Sequence, residues 1–102
     1  MPGTAMPADA SSPSTVAHDR AGQRFVAVHD GHEAWLDYTV AGDVLAITHT
    51  NVPEAIGGRG IAGELVRTAL EYARAARLRV RPACSYAEGW MRRHPEYDDL
   101  RA

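Results

Sequence analysis

Two hydrophobic periods divide this chain, and the switch between them outlines its architecture. From Arg24 onward apolar residues alternate with period two. Phe25-Val26-Ala27-Val28 forms a short apolar strand, and Asp30-Gly31 supplies the turn that follows it. In His32–Val40 the residues Ala34, Leu36, Tyr38 and Val40 share one face, while Glu33, Trp35, Asp37 and Thr39 share the other, the pattern of a half-buried strand. Ala41-Gly42-Asp43 turns the chain again. Val44–Asn51 then makes a third strand with Leu45, Ile47 and His49 on one side. Its apolar run Val44–Ile47 predicts a central strand covered on both faces.

Beyond Gly60 the period becomes helical. Ile61, Ala62, Leu65, Val66, Ala69, Leu70, Tyr72 and Ala73 fill half of a helical wheel over 60–76, and Glu64, Arg67, Thr68, Glu71 and Arg74 fill the other half. The charged half has oppositely charged residues three and four apart, as on a solvated face. Leu78–Ala83 reads as a fourth strand and Ser85–His94 as a second helix, with Ser85 as its N-cap and Pro95 marking its end. Trp35, Tyr72 and Tyr97 read as packing residues.

Between the strands and the long helix lies Val52-Pro53-Glu54-Ala55-Ile56-Gly57-Gly58-Arg59-Gly60-Ile61-Ala62-Gly63. Glycines let successive backbone N–H groups turn toward one point, and the following helix adds its own unsatisfied N–H groups and the positive end of its dipole. A pyrophosphate fits such a cradle. A Walker-type loop is excluded, because it requires lysine and the chain contains none. Gly58-Arg59-Gly60-Ile61-Ala62-Gly63 also satisfies the Gly-x-Gly-x-x-Gly dinucleotide fingerprint, but the strands before it read as antiparallel hairpins rather than as a βαβ unit. A glycine turn that caps a helix without any ligand is the remaining alternative.

Composition narrows the classes further. The 102 residues suffice for one domain, and a net charge of −2 gives no general electrostatic reason to bind nucleic acid or an anionic membrane. A single cysteine, Cys84, excludes an internal disulfide and a cysteine-built zinc site, and it suits a reducing, cytoplasmic setting. His18, His29, His32, His49 and His94 form no His-x-x-x-His pair, so no metal is expected. Residues 1–22 are rich in Ala, Pro, Ser and Thr without periodicity, which predicts a flexible tail ahead of a domain over 23–102, with no secretory pattern and no membrane span.

Taken in order, the hairpins, the glycine turn, the long helix, a strand and a last helix resemble the GNAT superfamily of GCN5-related N-acetyltransferases, and most closely its minimal single-domain members. The matching block runs from Ala46 to Leu100. It includes Thr48-His49-Thr50-Asn51-Val52-Pro53-Glu54, Gly58-Arg59-Gly60-Ile61-Ala62, Leu65-Val66, Ala69-Leu70-Glu71-Tyr72-Ala73-Arg74, Cys84 and Arg92-Arg93-His94-Pro95-Glu96-Tyr97. The resemblance implies an α+β fold with a mostly antiparallel central sheet, a long CoA-binding helix and a C-terminal helix. It also implies acetyl-CoA as co-substrate, held by backbone N–H groups from Gly58 to Gly63 and by the strand end Thr50-Asn51-Val52. One departure stands out: Gly57 occupies the place where the superfamily's signature carries Gln or Arg. That removes a side-chain donor and no backbone donor, and the charge of Arg59 is available nearby.

Acetyl transfer to an amine needs a deprotonated nucleophile, a polarised thioester carbonyl and a stabilised leaving thiolate. His49, where the third strand meets the expected pantetheine path, is the candidate base; a core-edge histidine is the alternative. Cys84 precedes the last helix, whose dipole favours a thiolate, and the resemblance makes it an acid, a base or a transient acetyl carrier; an inert core thiol is the other reading. Tyr86 stands where many superfamily members carry a tyrosine aimed at the CoA sulfur, although its spacing to Trp90 also fits simple packing. Arg92 and Arg93 suit the helix C-terminus, and Arg93 is a candidate for the CoA phosphates. The resemblance thus implies direct transfer of acetyl to a primary amine, whether a protein lysine, a polyamine or another small amine. A CoA-binding sensor that has kept the fold without catalysis is the second reading.

Overall fold

The structure, a computed structural model, describes residues 16–102. The period-two stretch becomes a ladder of hairpins: β1 (Val16–Asp19), β2 (Arg24–His29), β3 (His32–Ala41) and β4 (Val44–Asn51). A 3-10 turn (Glu54–Ile56) and the glycine turn lead into helix α1 (Ile61–Ala75), after which β5 (Arg79–Pro82), helix α2 (Ser85–Arg93) and a second 3-10 turn (Pro95–Leu100) complete the α+β fold. Strand order follows chain order, antiparallel from β1 to β4 and parallel between β4 and β5. The parallel pair is possible because α1 carries the chain back across the sheet.

Alternation decides which face is buried. Phe25, Leu36, Tyr38, Leu45, Ile47 and Val80 point to one side, and the Ile61, Leu65, Val66, Ala69, Leu70 and Ala73 stripe of α1 covers them. Burying a leucine such as Leu65 or Leu70 contributes about 2 kcal/mol, against a few tenths for a helical ion pair, so the apolar stripe sets the seat of α1.

Four expectations are corrected. Within the stretch expected to be a flexible tail, Val16–Asp19 forms β1, paired Val16↔Ala27 through Asp19↔Arg24, with His18 stacked 4.1 Å from Phe25. Residues 1–15, the rest of that stretch, lie outside the described residues. Second, among the described residues both helices pack on the same face of the sheet, and the opposite face presents exposed Glu33, Thr39, Arg79 and Arg81. The buried Ala46 on that side is small enough to be covered by its neighbours. Third, the N-cap of α2 is Cys84 rather than Ser85: its extended backbone (φ −98°, ψ 149°) aims Sγ at the N–H of Ala87, 3.4 Å away. Fourth, the charged half of α1 reaches the C-terminal 3-10 turn instead of pairing along the helix. Arg74 binds Asp99 at 2.8 Å, and Tyr97 donates its hydroxyl hydrogen to Glu71 at 2.6 Å.

Candidate active site

A break in the sheet creates the site. Pairing of β4 with β5 ends at Ile47↔Pro82, where the N–H groups of Ala83 and Cys84 both donate to the Ile47 carbonyl, at 2.9 and 3.0 Å. Two donors on one carbonyl turn the chain out of the ladder into α2, so β4 runs on from Thr48 to Asn51 without β5 beside it.

On its other edge β4 carries a β-bulge. Tyr38 pairs with Ile47 and Asp37 with His49, leaving Thr48 as the extra residue, whose hydroxyl donates to the Asp37 carbonyl at 3.2 Å. The extra residue reverses the alternation. Thr50, opposite Leu36, now faces the core side, and His49, opposite Asp37, faces the solvent side and is exposed. The expectation that His49 shares a face with Leu45 and Ile47 is therefore corrected. Across the opening Thr50 Oγ1 and Cys84 Sγ stand 3.5 Å apart, and Cys84 is half-buried.

Past β4 the glycine turn bends back through two left-handed residues, Gly58 (φ +78°) and Gly60 (φ +77°), a region that side chains disfavour. From Gly58 to Gly63 no backbone N–H is spent on a backbone carbonyl; the first such bond runs from Glu64 N–H to the Gly60 carbonyl at 3.1 Å. The turn presents a run of free donors ahead of a 15-residue helix. Arg59 is drawn sideways by the Asp30 carboxylate in the β2–β3 turn, at 2.6 Å, and its guanidinium holds the Asp30 carboxyl below its usual range.

Two cavities flank the start of α1. One of about 290 Å³ is lined by Val52, Gly57, Gly58, Gly60, Ile61, Ala62 and Tyr86. It explains why Ala62 is only half-buried although it lies on the apolar half of the wheel. The other, a groove of about 750 Å³ between α1, α2 and the β2–β3 turn, includes Arg59, Gly63, Arg67, Tyr86, Trp90 and Arg93 in its walls.

The structure thus gathers the expected cofactor residues Val52, Gly57, Gly58, Gly60, Ile61 and Ala62 around one cavity, and Arg59, Gly63 and Arg93 around the other, with Gly60 and Tyr86 in both. Thr50 and Cys84 meet at the opening of the sheet, and Asn51 lies on the same strand end, paired with Trp35. His49 lies on the opposite side of the sheet from Thr50 and lines neither cavity. Sequence reasoning missed Arg67 and Trp90 as cavity residues. Their signal was present in the helical stripes Gly60, Gly63, Glu64, Arg67 and Tyr86, Trp90, Arg93, which face each other across the groove.

Comparison with known proteins bears on the same features. The sequence pattern of the GCN5-related N-acetyl-transferases matches residues 24–100, from the start of β2 to the end of the last 3-10 turn. The chain belongs to the GCN5-related N-acetyltransferase family. This GNAT domain is 35% identical over 86 residues to protein NATD1 of Bos taurus, covering 81% of the chain and 76% of that relative. Protein NATD1 of Homo sapiens is 34% identical over 86 residues, with the same shares. A GCN5-like protein of Staphylococcus aureus, solved in solution by NMR, superposes with a TM-score of 0.68 at 23% identity, over 89% of this chain and 91% of that one. The mixed five-stranded sheet with its two helices is the GNAT-like fold, and the family is one of acyl transfer. No helix among the described residues is long and apolar enough to cross a membrane.

Proposed function

We propose that this domain takes acetyl-CoA as co-substrate and transfers the acetyl group directly to a primary amine. The observation that carries the reading is the continuity of three features: the free N–H groups of Gly58–Gly63, the cavity beside them, and the end of the chain's β4 stretch at Thr50-Asn51-Val52, which runs on without β5 beside it. Ideal Cβ atoms on Gly58 or Gly60 would meet nothing within 4 Å, so the cradle is open to a ligand rather than filled by protein. In this reading the pyrophosphate lies on the glycine turn. Pantetheine pairs with the β4 end, and the thioester reaches the opening beside Thr50 and Cys84.

The amine then approaches from the solvent side of the sheet, where His49 stands. Its nitrogen forms a C–N bond to the thioester carbonyl carbon while the C–S bond breaks; the amine proton passes to His49 or to water, and the leaving sulfur takes a proton. Cys84, at the opening, is the nearer candidate donor to the leaving thiolate, while Tyr86, between the two cavities, lies closer to the phosphate end. A protein lysine, a polyamine or another small amine would serve as acceptor on so open a face.

A second reading, a CoA-binding sensor without catalysis, draws on one observation: no Asp, Glu, His, Lys or Arg lines the smaller cavity. Calorimetric titration with acetyl-CoA, followed by an acceptor screen reading free CoA release, separates the two. Binding with turnover supports the transferase, binding without turnover on any amine supports the sensor, and no binding of any CoA species overturns both.

A further inference from the structure

The larger groove is cationic and carries donors with nothing to donate to. Arg59, Arg67 and Arg93 line it beside a single carboxylate, Glu64, although Arg59 also pairs with Asp30 and Arg67 also donates to the Tyr97 hydroxyl. A cationic amine is disfavoured there and an anion favoured. Trp90 is 4% exposed, yet its indole N–H has no hydrogen-bond partner among the described residues. The stacked His94 ring, 3.7 Å away, and the Arg67 guanidinium, 5.3 Å from its ring centroid, cover the indole and fix its plane. Its Nε1 edge is turned to Gly63, where an added Cβ would stand 3.0 Å from Nε1 and 3.4 Å from the Tyr86 hydroxyl. Glycine at 63 therefore lets two donors converge on the groove wall. Arg93 likewise makes no ion pair or hydrogen bond among the described residues. Among the described residues no polar side-chain atom is both buried and unpartnered, so the indole N–H and the exposed Arg93 guanidinium are open to the groove, where a ligand oxyanion can take charge-assisted hydrogen bonds from them.

We propose that this groove is a second phosphate site, separate from the glycine turn, that takes a ribose-borne phosphate monoester through Trp90 Nε1–H, Tyr86 Oη–H and the Arg93 and Arg67 guanidiniums. Resting on the acetyl-CoA reading, it assigns the groove to the 3′-phosphate of CoA, because the groove and the smaller cavity share Gly60 and Tyr86 and one extended molecule can occupy both. These residues then determine the preference for CoA over its dephosphorylated form. The same chemistry would admit a free adenosine 3′,5′-bisphosphate.

Titrations of the full chain with CoA, dephospho-CoA and adenosine 3′,5′-bisphosphate test the assignment, in the wild type and in Arg93→Gln and Trp90→Phe. Charge-assisted hydrogen bonds of this kind make CoA bind about tenfold or more tightly than dephospho-CoA. In either variant the gap between CoA and dephospho-CoA falls to about threefold or less. Arg93 is exposed, so its variant folds and carries the test even if Trp90→Phe does not. Equal wild-type affinities for CoA and dephospho-CoA, or a gap that survives Arg93→Gln, overturn the assignment and leave the acetyl-CoA reading standing. If no CoA species binds but the bisphosphate does, and Arg93→Gln abolishes it, the groove stands and the acetyl-CoA reading fails.

Discussion

Thr50 Oγ1 lies 3.5 Å from Cys84 Sγ, spanning the opening where β4 and β5 part company. Sγ also receives the Ala87 N–H, so one thiol both caps α2 and faces the expected thioester. These two duties can be separated by substitution. Serine is a better cap than cysteine and alanine is none, so Cys84→Ser keeps the fold while Cys84→Ala loses about 1 kcal/mol of stability. If the thiol takes part in the chemistry, Cys84→Ser lowers kcat by about tenfold or more with KM for acetyl-CoA unchanged. Unaltered kcat in a stable Cys84→Ser protein would reduce Cys84 to a cap.

The bulge at Thr48 turns His49 and Thr50 to opposite sides of the sheet, which in the proposed reaction are the acceptor side and the CoA side. His49→Ala should therefore leave acetyl-CoA binding intact and cut turnover by about 10²- to 10⁴-fold, the range for a lost general base. The exposed position makes a fold defect unexpected. Calorimetry and steady-state kinetics on the same preparation check both halves, and a variant that turns over normally would mean the amine loses its proton to water or another group.

Gly63 is in the first turn of α1, where alanine would ordinarily strengthen a helix by about 1 kcal/mol. Here the added Cβ meets Trp90 Nε1 at 3.0 Å, and Trp90 is held by His94 and Arg67 and cannot readily give way. The contact wins over the propensity: Gly63→Ala should lower the melting temperature and weaken CoA binding together. Gly58→Ala has no such clash, but φ is +78°, so its cost of about 1 kcal/mol comes from the backbone alone. A more stable Gly63→Ala protein would show that the α1–α2 contact is looser than these distances imply.

The sequence made the hairpins, α1 and the glycine turn legible because each follows a periodicity that local physics imposes: alternation in β2 and β3, the Ile61–Ala73 stripe, and Gly58 and Gly60 at positive φ. What stayed hidden depends on pairing between distant residues. One extra residue at Thr48 reversed the side on which His49 projects, and no local pattern announces a bulge. β1 escaped notice because only Val16 and His18 of its four residues turn inward, and His18 is polar by type while stacked on Phe25. The converging donors at Gly63 could not be read either, since they need α1 and α2 at their final separation. Cys84 as a helix cap was one residue away from the expected Ser85, within the usual uncertainty of helix ends.

His18 gives the fold a pH dependence that can be isolated. It shares a 2.5 Å hydrogen bond with the Tyr38 hydroxyl, stacks on Phe25 and meets the Tyr72 ring edge-on, with centroids 4.5 Å apart. Burial, followed by the positive charge of Arg20, pulls its pKa below the ordinary 6.5, with Asp19 opposing. The unfolded chain therefore binds the His18 proton more readily than the folded one, and stability is lost as pH falls from about 6.5 through the lower folded value. Asp30, Glu88 and Asp99 are shifted down by Arg59, Arg101 and Arg74, so their losses begin only in the acidic carboxylate range and leave this window clear. Melting temperatures measured from pH 7.5 to 5 should fall more steeply in the wild type than in His18→Asn, whatever the offset between the curves. Parallel curves would place the titration elsewhere, and a steeper fall in the variant would reverse the sign assigned to His18.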